Sequence, residues 1–407
     1  MNIVVAGAGV AGVTAAETAR QENPKADITV FGLERDALYF RPRLPEIVSG
    51  RLTTDKIFAH PDAWYREKNL ELRKGEHLAE VSLEDRMVRG SLGSRLLFDR
   101  LLLAVGAESS RPAPVNYALP GVFTVRNLND AMALHYETKR CRTAVLMGAG
   151  LLALEIAAAL AAAGLKVHVL ERAERILPRQ TTPASSARLN ELLTAQGLTF
   201  RLNASLAAAT GVERLQRVEL SDGSVIEAQL LVVAAGVTPN LNLAKALGLK
   251  IDRAIVVDQF LETSVPNVYA AGDCAQTPDG LGGLWTVARQ QGLIAGRNLA
   301  VAPQDRRPYA PQPPSSTLKV AGVDLVAAGD LDPGDRLRSA TAQSSAIYRK
   351  VVVDSDGLVI GYTNLGTVKG NRELAGALKR KRLPEAWLAE LADPEFDFGK
   401  IQALPEA

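Results

Sequence analysis

The same phrase occurs twice in this chain: an apolar run, a glycine-rich turn, and a run rich in small helix-forming residues. It reads IVVAGAGVAGVTAAETA from residue 3 and TAVLMGAGLLALEIAAALAAAG from residue 143. A strand that ends in Gly-x-Gly and runs directly into a helix has few backbone solutions. The first glycine permits a tight turn, the second lets backbone N–H groups approach a ligand, and the third position lets the helix lie close on its strand. Each phrase leads to a second strand-like run, DITVF and LKVHVL, so each opens a βαβ unit. Two such units predict an α/β chain with two Rossmann-like, three-layer domains.

The chemistry of these turns is anion binding, because a helix N-terminus presents unpaired N–H groups and the positive end of its dipole. In the first unit the candidates are Gly7, Gly9, Val10, Ala11 and Gly12. Glu34, 22 residues beyond Gly12, stands where a carboxylate accepts ribose hydroxyls. In the second they are Gly148, Gly150, Leu151 and Leu152, with Ala153 at the third position and Glu171 following Gly150 by 21 residues. A glycine turn that merely packs tightly is the simpler reading of either turn alone; the acidic partner at the expected distance argues against it. Glu171 favours the free 2′-hydroxyl of NADH and repels the 2′-phosphate of NADPH, whereas Arg172 beside it works the other way. NADH is the expected reductant, NADPH the lesser one.

At 407 residues the chain exceeds one hydrophobic core, so two or three domains are expected. The Pro-rich exit at 112–120 marks one boundary, and RRPYAPQPPSS, residues 306–316, reads as a semi-rigid connector. Residues after it carry strand-like runs, an Asp356-Gly357 hairpin signal and helical runs at NRELAGALKRK and PEAWLAELA, a small C-terminal α+β domain. A net charge of +2 argues against nucleic acid. Cys141 and Cys274 form no disulfide framework, and the four histidines show no metal-ligand spacing. No export signal opens the chain, and the apolar run 143–154 is too short to span a bilayer, so a soluble cytoplasmic protein is expected.

Six motifs in order carry a resemblance to the FAD-dependent pyridine nucleotide-disulfide oxidoreductase superfamily over about the first 300 residues. They are GAGVAG with Glu34, YFRPRLP at 39–45, LLLAVGA at 101–107, GAGLLALE at 148–155, AAGVTPN at 234–240 and TSVPNVYAAGDCA at 263–275. The resemblance implies FAD in the first unit, residues 1–111 completed by 241–308, and NAD(P)H in the second, residues 112–240, with 309–407 as the C-terminal domain. It implies that Asp273 bonds the ribityl chain of FAD and that Arg41, and less directly Arg43, lies against the flavin and its pyrophosphate. It places Glu155 where flavin and nicotinamide meet, and assigns Val81, Ala104, Gly106, Gly236 and Gly272 to the cofactor sites. Trp285 and ARQQG, 288–292, resemble the segment that closes over the isoalloxazine, core packing being the other reading of a lone tryptophan.

The chain departs from the disulfide, peroxide and oxygen reductases of the superfamily: residues 39–50 hold no cysteine, and no histidine follows His168. Cys274 reads as an apolar filler, and Cys141 has no visible activator. What remains resembles the NADH:rubredoxin reductases, the ferredoxin reductases and the N-terminal part of the nitrite reductase large subunit. That resemblance implies electron transfer from NADH through FAD to a small carrier protein, rubredoxin or ferredoxin. Two rivals stay open: an NADH oxidase reducing oxygen directly, and a redox-switched, partner-binding flavoprotein of the apoptosis-inducing-factor type. The basic run Lys379, Arg380, Lys381 and Arg382 is either a steering patch for an acidic carrier or a solvated helix end. The oligomeric state stays open, with a homodimer one arrangement.

Overall fold

In the computed structural model, which describes residues 1–311, 315–320, 322–331, 338–344 and 347–407, each glycine phrase supplies the central strand of a parallel sheet. Asn2–Ala6 lies between Asp27–Gly32 and Arg100–Leu103, with Leu70–Lys74 and Val268–Ala270 at the edges. Thr143–Met147 lies between Lys166–Leu170 and Leu230–Val233, with Leu198–Arg201 and Val122–Thr124 at the edges. The central strands are buried almost throughout, which is why they read as continuous apolar runs rather than as alternating ones. Each fold also inserts a three-stranded antiparallel meander before its fourth strand: Leu78–Ser82, Met87–Gly90 and Arg95–Leu97 in the first, Leu206–Thr210, Arg217–Leu220 and Val225–Glu227 in the second. The internal repeat is therefore longer than the glycine phrases. The fifth strand breaks the symmetry: it arrives from far downstream in the first sheet and from upstream in the second.

The chain divides into two compact units. One comprises Met1–Leu44, Leu52–Ser109 and Val237–Gln312, the other Pro45–Arg51, Ser110–Gly236 and Pro313–Ala407.

In the first unit, helix Trp285–Ala300 packs on helix Val10–Glu22 through positions with no side chain. A Cβ on Gly292 would stand 2.5 Å from Ala11 O, and one on Gly296 2.3 Å from Ala15 O. These glycines lower helix propensity by about 1 kcal/mol each, and close contact with the alanine face is what they gain. The start of the proline-rich connector is held by this unit. Asn298 Nδ2 donates to Phe260 O and Arg307 O, its Oδ1 accepts from Arg307 N, and Arg306 pairs with Glu262 at 2.8 Å. Residues 306–309 are thus part of the fold, while 312–314 of the connector lie outside the described residues.

In the second unit, the tail forms a five-stranded antiparallel sheet in the order Ser315–Val320, Val323–Gly329, Val359–Leu365, Tyr348–Val353, Arg338–Gln343, covered by helices Asn371–Ala377, Glu385–Glu390 and Gly399–Gln402. The α+β expectation for the tail holds. The Asp356-Gly357 turn joins two of these strands, with Gly357 at φ +83° and Asp354 Oδ1 accepting from Asp356 N and Leu358 N. Two charges of the basic run have partners within the tail. Lys381 Nζ donates to Ile401 O and Gln402 O at 3.1 and 2.7 Å, closing the end of the last helix, and Arg382 stands 3.5 Å from Asp356. Among the described residues, no helix is long and apolar enough to cross a membrane.

Candidate functional site

All five strands of the first sheet run parallel, so their carboxyl ends lie along one edge. That edge is where open α/β sheets bind ligands. Ala6, Gly32, Leu103 and Ala270 end there, which delivers Gly7, Glu34, Ala104 with Gly106, and Gly272 with Asp273 to the same edge. The side chains and glycines interlock. A Cβ on Gly7 (φ +118°) would overlap Ala104 O at 2.1 Å, and one on Gly12 would overlap Gly7 O at 1.9 Å. A Cβ on Gly272 (φ +83°) would meet Ala11 Cβ at 3.1 Å. Gly9 differs: it has ordinary extended backbone, and a Cβ there would meet nothing within 4 Å. Packing explains Gly7 and Gly12; Gly9, the N-cap of the helix, leaves open space where a side chain would stand, room for a ligand to approach.

The helix ends say the same. Helix Leu128–Thr138 is closed by an Asn127–Asp130 capping box and helix Pro183–Thr194 by Thr182 with Ser185. Helices Val10–Glu22 and Leu151–Ala162 start at Gly9 and Gly150 with no side-chain cap. Helix Trp285–Ala300 also lacks a side-chain cap, but among the described helices only the two fingerprint ones start at a glycine that follows a Gly-x turn. Ser or Asp there would add no more than about a few tenths of a kcal/mol, and the exposed N–H groups suit a phosphate as the cap.

Glu34, just past the second strand, accepts hydrogen bonds from Arg41 at 2.5 Å and from Tyr39 Oη at 2.6 Å, with the Arg41 guanidinium 5.7 Å from the Tyr39 ring centre. A carboxylate oxygen can accept more than one hydrogen bond, so these two contacts do not use up the acceptor capacity of Glu34. Arg43 is half-buried in the same 3-10 turn, Arg41–Arg43. Trp285 starts its helix with its ring 5.9 Å from that of Phe40. Val81 lies in the first meander, half-buried against the core of the first unit.

In the second unit the same construction recurs. A Cβ on Gly148 (φ +110°) would lie 2.6 Å from Ala234 O, and one on Gly150 would meet nothing within 4 Å. Glu171 accepts from Ala149 N and Ala173 N, both at 2.8 Å, which fixes its carboxylate against the glycine turn. Arg172 beside it is exposed. Leu151 and Leu152 open the helix, and Glu155, half-buried one turn later, is the sole charge in LLALEIAAALAA. Gly236 (φ +97°) accepts from Ser110 N at 3.0 Å.

Neither thiol is activated. Cys274 is fully buried, donates to Leu103 O and Ala271 O, and burial pushes its pKa up to about 11. Burial also raises the Cys141 thiol, against the partial relief that Arg214 gives it. Tyr39 and Gln291 belong to the site's frame without having been singled out by sequence reasoning. Both stand inside motifs quoted for other residues, and the signal for Gln291 is an amide on the Ala/Gly face of a helix.

The family model for pyridine nucleotide-disulphide oxidoreductases matches residues 1–292. The chain belongs to that family. Its cofactors are FAD and NAD(H), and the two bare glycine turns with Glu34 and Glu171 fit them. This oxidoreductase is 29% identical over its whole length to the assimilatory nitrate reductase electron transfer subunit of Bacillus subtilis, of which it covers 52%. It is also 29% identical to the rubredoxin-NAD(+) reductase of Ectopseudomonas oleovorans, over 93% of this chain and 99% of that one. The ferredoxin reductase of the CYP199A2 system from Rhodopseudomonas palustris superimposes with a TM-score of 0.89 at 26% identity, covering 99% of this chain and 100% of that one. The chain spans about half the length of the nitrate and nitrite reductase relatives and nearly all of the rubredoxin reductase.

Proposed function

We propose that this protein takes a hydride from NADH, in preference to NADPH, and passes the electrons through FAD to a small redox carrier protein of the rubredoxin or ferredoxin kind. The observation that carries the reading is the pair of fingerprint helices without side-chain caps, each starting at a glycine with open space beside it and each followed by an acidic residue just past the next strand. FAD bound here would supply the chemistry of taking up the two electrons of one hydride and releasing them one at a time. The chain's own residues bind and orient. The Gly7–Gly12 turn receives the FAD pyrophosphate, Glu34 its adenosine ribose, Arg41 holds Glu34 in place, and Asp273 receives the ribityl chain. Ala104, Gly106 and Gly272 shape this seat and Val81 flanks it, while Arg43 adds positive charge and Trp285 covers the ring system. The Gly148–Leu152 turn and Glu171 receive NADH, with Gly236 closing that site and Glu155 as the polar group toward the reactive end of the nucleotide. In this reading the FAD domain is 1–111 with 241–308, the NADH domain 112–240 and the C-terminal domain 309–407. Full-length similarity to a rubredoxin reductase and two buried, high-pKa thiols support a carrier protein rather than a disulfide as acceptor.

Anaerobic stopped-flow mixing with NADH and NADPH in parallel tests this, followed by oxidised rubredoxin, ferredoxin, a disulfide or oxygen. The expected result is rapid bleaching by NADH and fastest reoxidation by a carrier protein. Reoxidation only by oxygen or a disulfide would overturn the acceptor assignment, and a flavin that NADH does not bleach would overturn the reading altogether.

A further inference from the structure

The helix Trp285–Ala300 buries Ala288, Gln291, Gly292, Ala295, Gly296, Asn298 and Leu299. On a face otherwise built of small or apolar residues, the two amides need a reason, because a buried polar group is costly unless it is hydrogen-bonded. Asn298 has one: it clasps the connector at Arg307. Gln291 is 1% exposed, and its Oε1 accepts from Gly272 N at 2.7 Å. Gly272 begins the turn that carries Asp273, with Ala275 N returning to Gly272 O at 3.0 Å. Gly272 holds φ +83°, and its Cα faces Ala11 of the fingerprint helix. The Gln291 amide also lies against the Tyr309 hydroxyl and eases the upward push that burial gives its pKa, and Tyr309 N donates to Gln259 O at 2.7 Å. One side chain thus links the Gly272–Asp273 turn to the connector, beside the helix that starts at Gly9.

We propose that Gln291 is a positioning residue for the flavin seat: it fixes the Gly272–Asp273 turn so that Asp273 faces the cofactor, and Tyr309 fixes Gln291. The proposal rests on the reading that Asp273 holds the ribityl chain of FAD. It makes the first residues of the connector part of the cofactor seat. Without the glutamine acceptor, Gly272 N is left buried and unpaired, and the turn is free to rotate at a glycine that imposes no barrier of its own.

The test compares holoproteins carrying Gln291→Met, Gln291→Glu, Tyr309→Phe and Asp273→Ala. Gln291→Met keeps the shape and loses the hydrogen bond to Gly272 N and the polar contact with Tyr309; Gln291→Glu keeps an acceptor for Gly272 N; Tyr309→Phe removes only the hydroxyl. The readouts are FAD affinity by titration of apoprotein, visible circular dichroism of the bound flavin, KM for NADH, and apoprotein melting. Gln291→Met is expected to weaken FAD by roughly tenfold or more and to alter the flavin dichroism, with KM for NADH unchanged. Gln291→Glu recovers most of the affinity, and Tyr309→Phe shows a smaller loss in the same direction. If Gln291→Met lowers only apoprotein melting while affinity and dichroism stay as in the parent, the residue is structural and the proposal fails. If Asp273→Ala also leaves FAD affinity unchanged, the assignment of Asp273 itself fails.

Discussion

Replacing Gly9 and Gly12 by alanine, one at a time, separates cofactor binding from folding. At Gly9 the backbone has φ −75° and ψ −178°, which any residue adopts, and a Cβ meets nothing within 4 Å. At Gly12 the added carbon would lie 1.9 Å from Gly7 O and 3.1 Å from Val5 Cγ1, so helix and strand must part. Gly12→Ala should cost the apoprotein about 1–3 kcal/mol by overpacking. At roughly 2–4 °C per kcal/mol for a domain of this size, the first melting transition falls by about 2–12 °C. Gly9→Ala should shift that transition far less, because the reduced freedom of the unfolded chain, about 0.4–1 kcal/mol, offsets the loss of a favourable N-cap glycine of similar size. For FAD the outcome is different. A methyl at residue 9 occupies the approach to the bare helix end and removes a charge-assisted hydrogen bond worth roughly 1.5–3 kcal/mol, or about 10- to 100-fold in Kd. Calorimetry of the apoproteins and FAD titration followed by flavin fluorescence measure both quantities. Parent-like FAD affinity in Gly9→Ala, or a loss of apoprotein melting equal to that of Gly12→Ala, would refute the assignment of Gly9 to the ligand and Gly12 to packing.

Glu171→Ala removes the carboxylate that the Ala149 and Ala173 N–H groups hold against the glycine turn, and should raise the NADPH-to-NADH ratio of kcat/KM by roughly tenfold or more; an unchanged ratio in steady-state assays counts against its role at the ribose. Burial depresses the pKa of His168, with Lys166 and Arg201 adding to the effect. Its contribution to stability is therefore present above the unfolded value of about 6.5 and lost as pH falls toward the lower folded value; denaturation at pH 7 and pH 5 should show the loss, and His168→Leu should reduce it. His60, also depressed by burial, leaves a residual slope of the same sign. Both thiols should resist alkylation in the native protein and titrate only after unfolding, with no effect of the reagent on flavin reduction; rapid native labelling that abolishes turnover would reinstate thiol chemistry.

What could be read from the sequence is what is local. Gly7 and Gly148 adopt positive φ, the strands before them are continuously apolar because both faces are covered, and Glu34 and Glu171 follow at the distance one βαβ unit sets. The same holds for the missing cysteine in residues 39–50 and for the α+β tail, whose period-two runs and Asp-Gly turn are short-range signals. Only tertiary structure decided which segments and side chains complete these units. Val268–Ala270 joins a sheet begun at Asn2, Arg41 closes on Glu34, and Gln291 reaches Gly272 while its helix lies on Ala11. It also spent Lys381 on the last helix rather than leaving it to solvent. The physical reason is that backbone conformation and burial period are set by residues near in sequence, whereas strand order, close helix contact and side-chain pairing depend on how the chain folds back, over 7 residues for Arg41 and Glu34 and 19 for Gln291 and Gly272 as much as over hundreds, which periodicity does not encode.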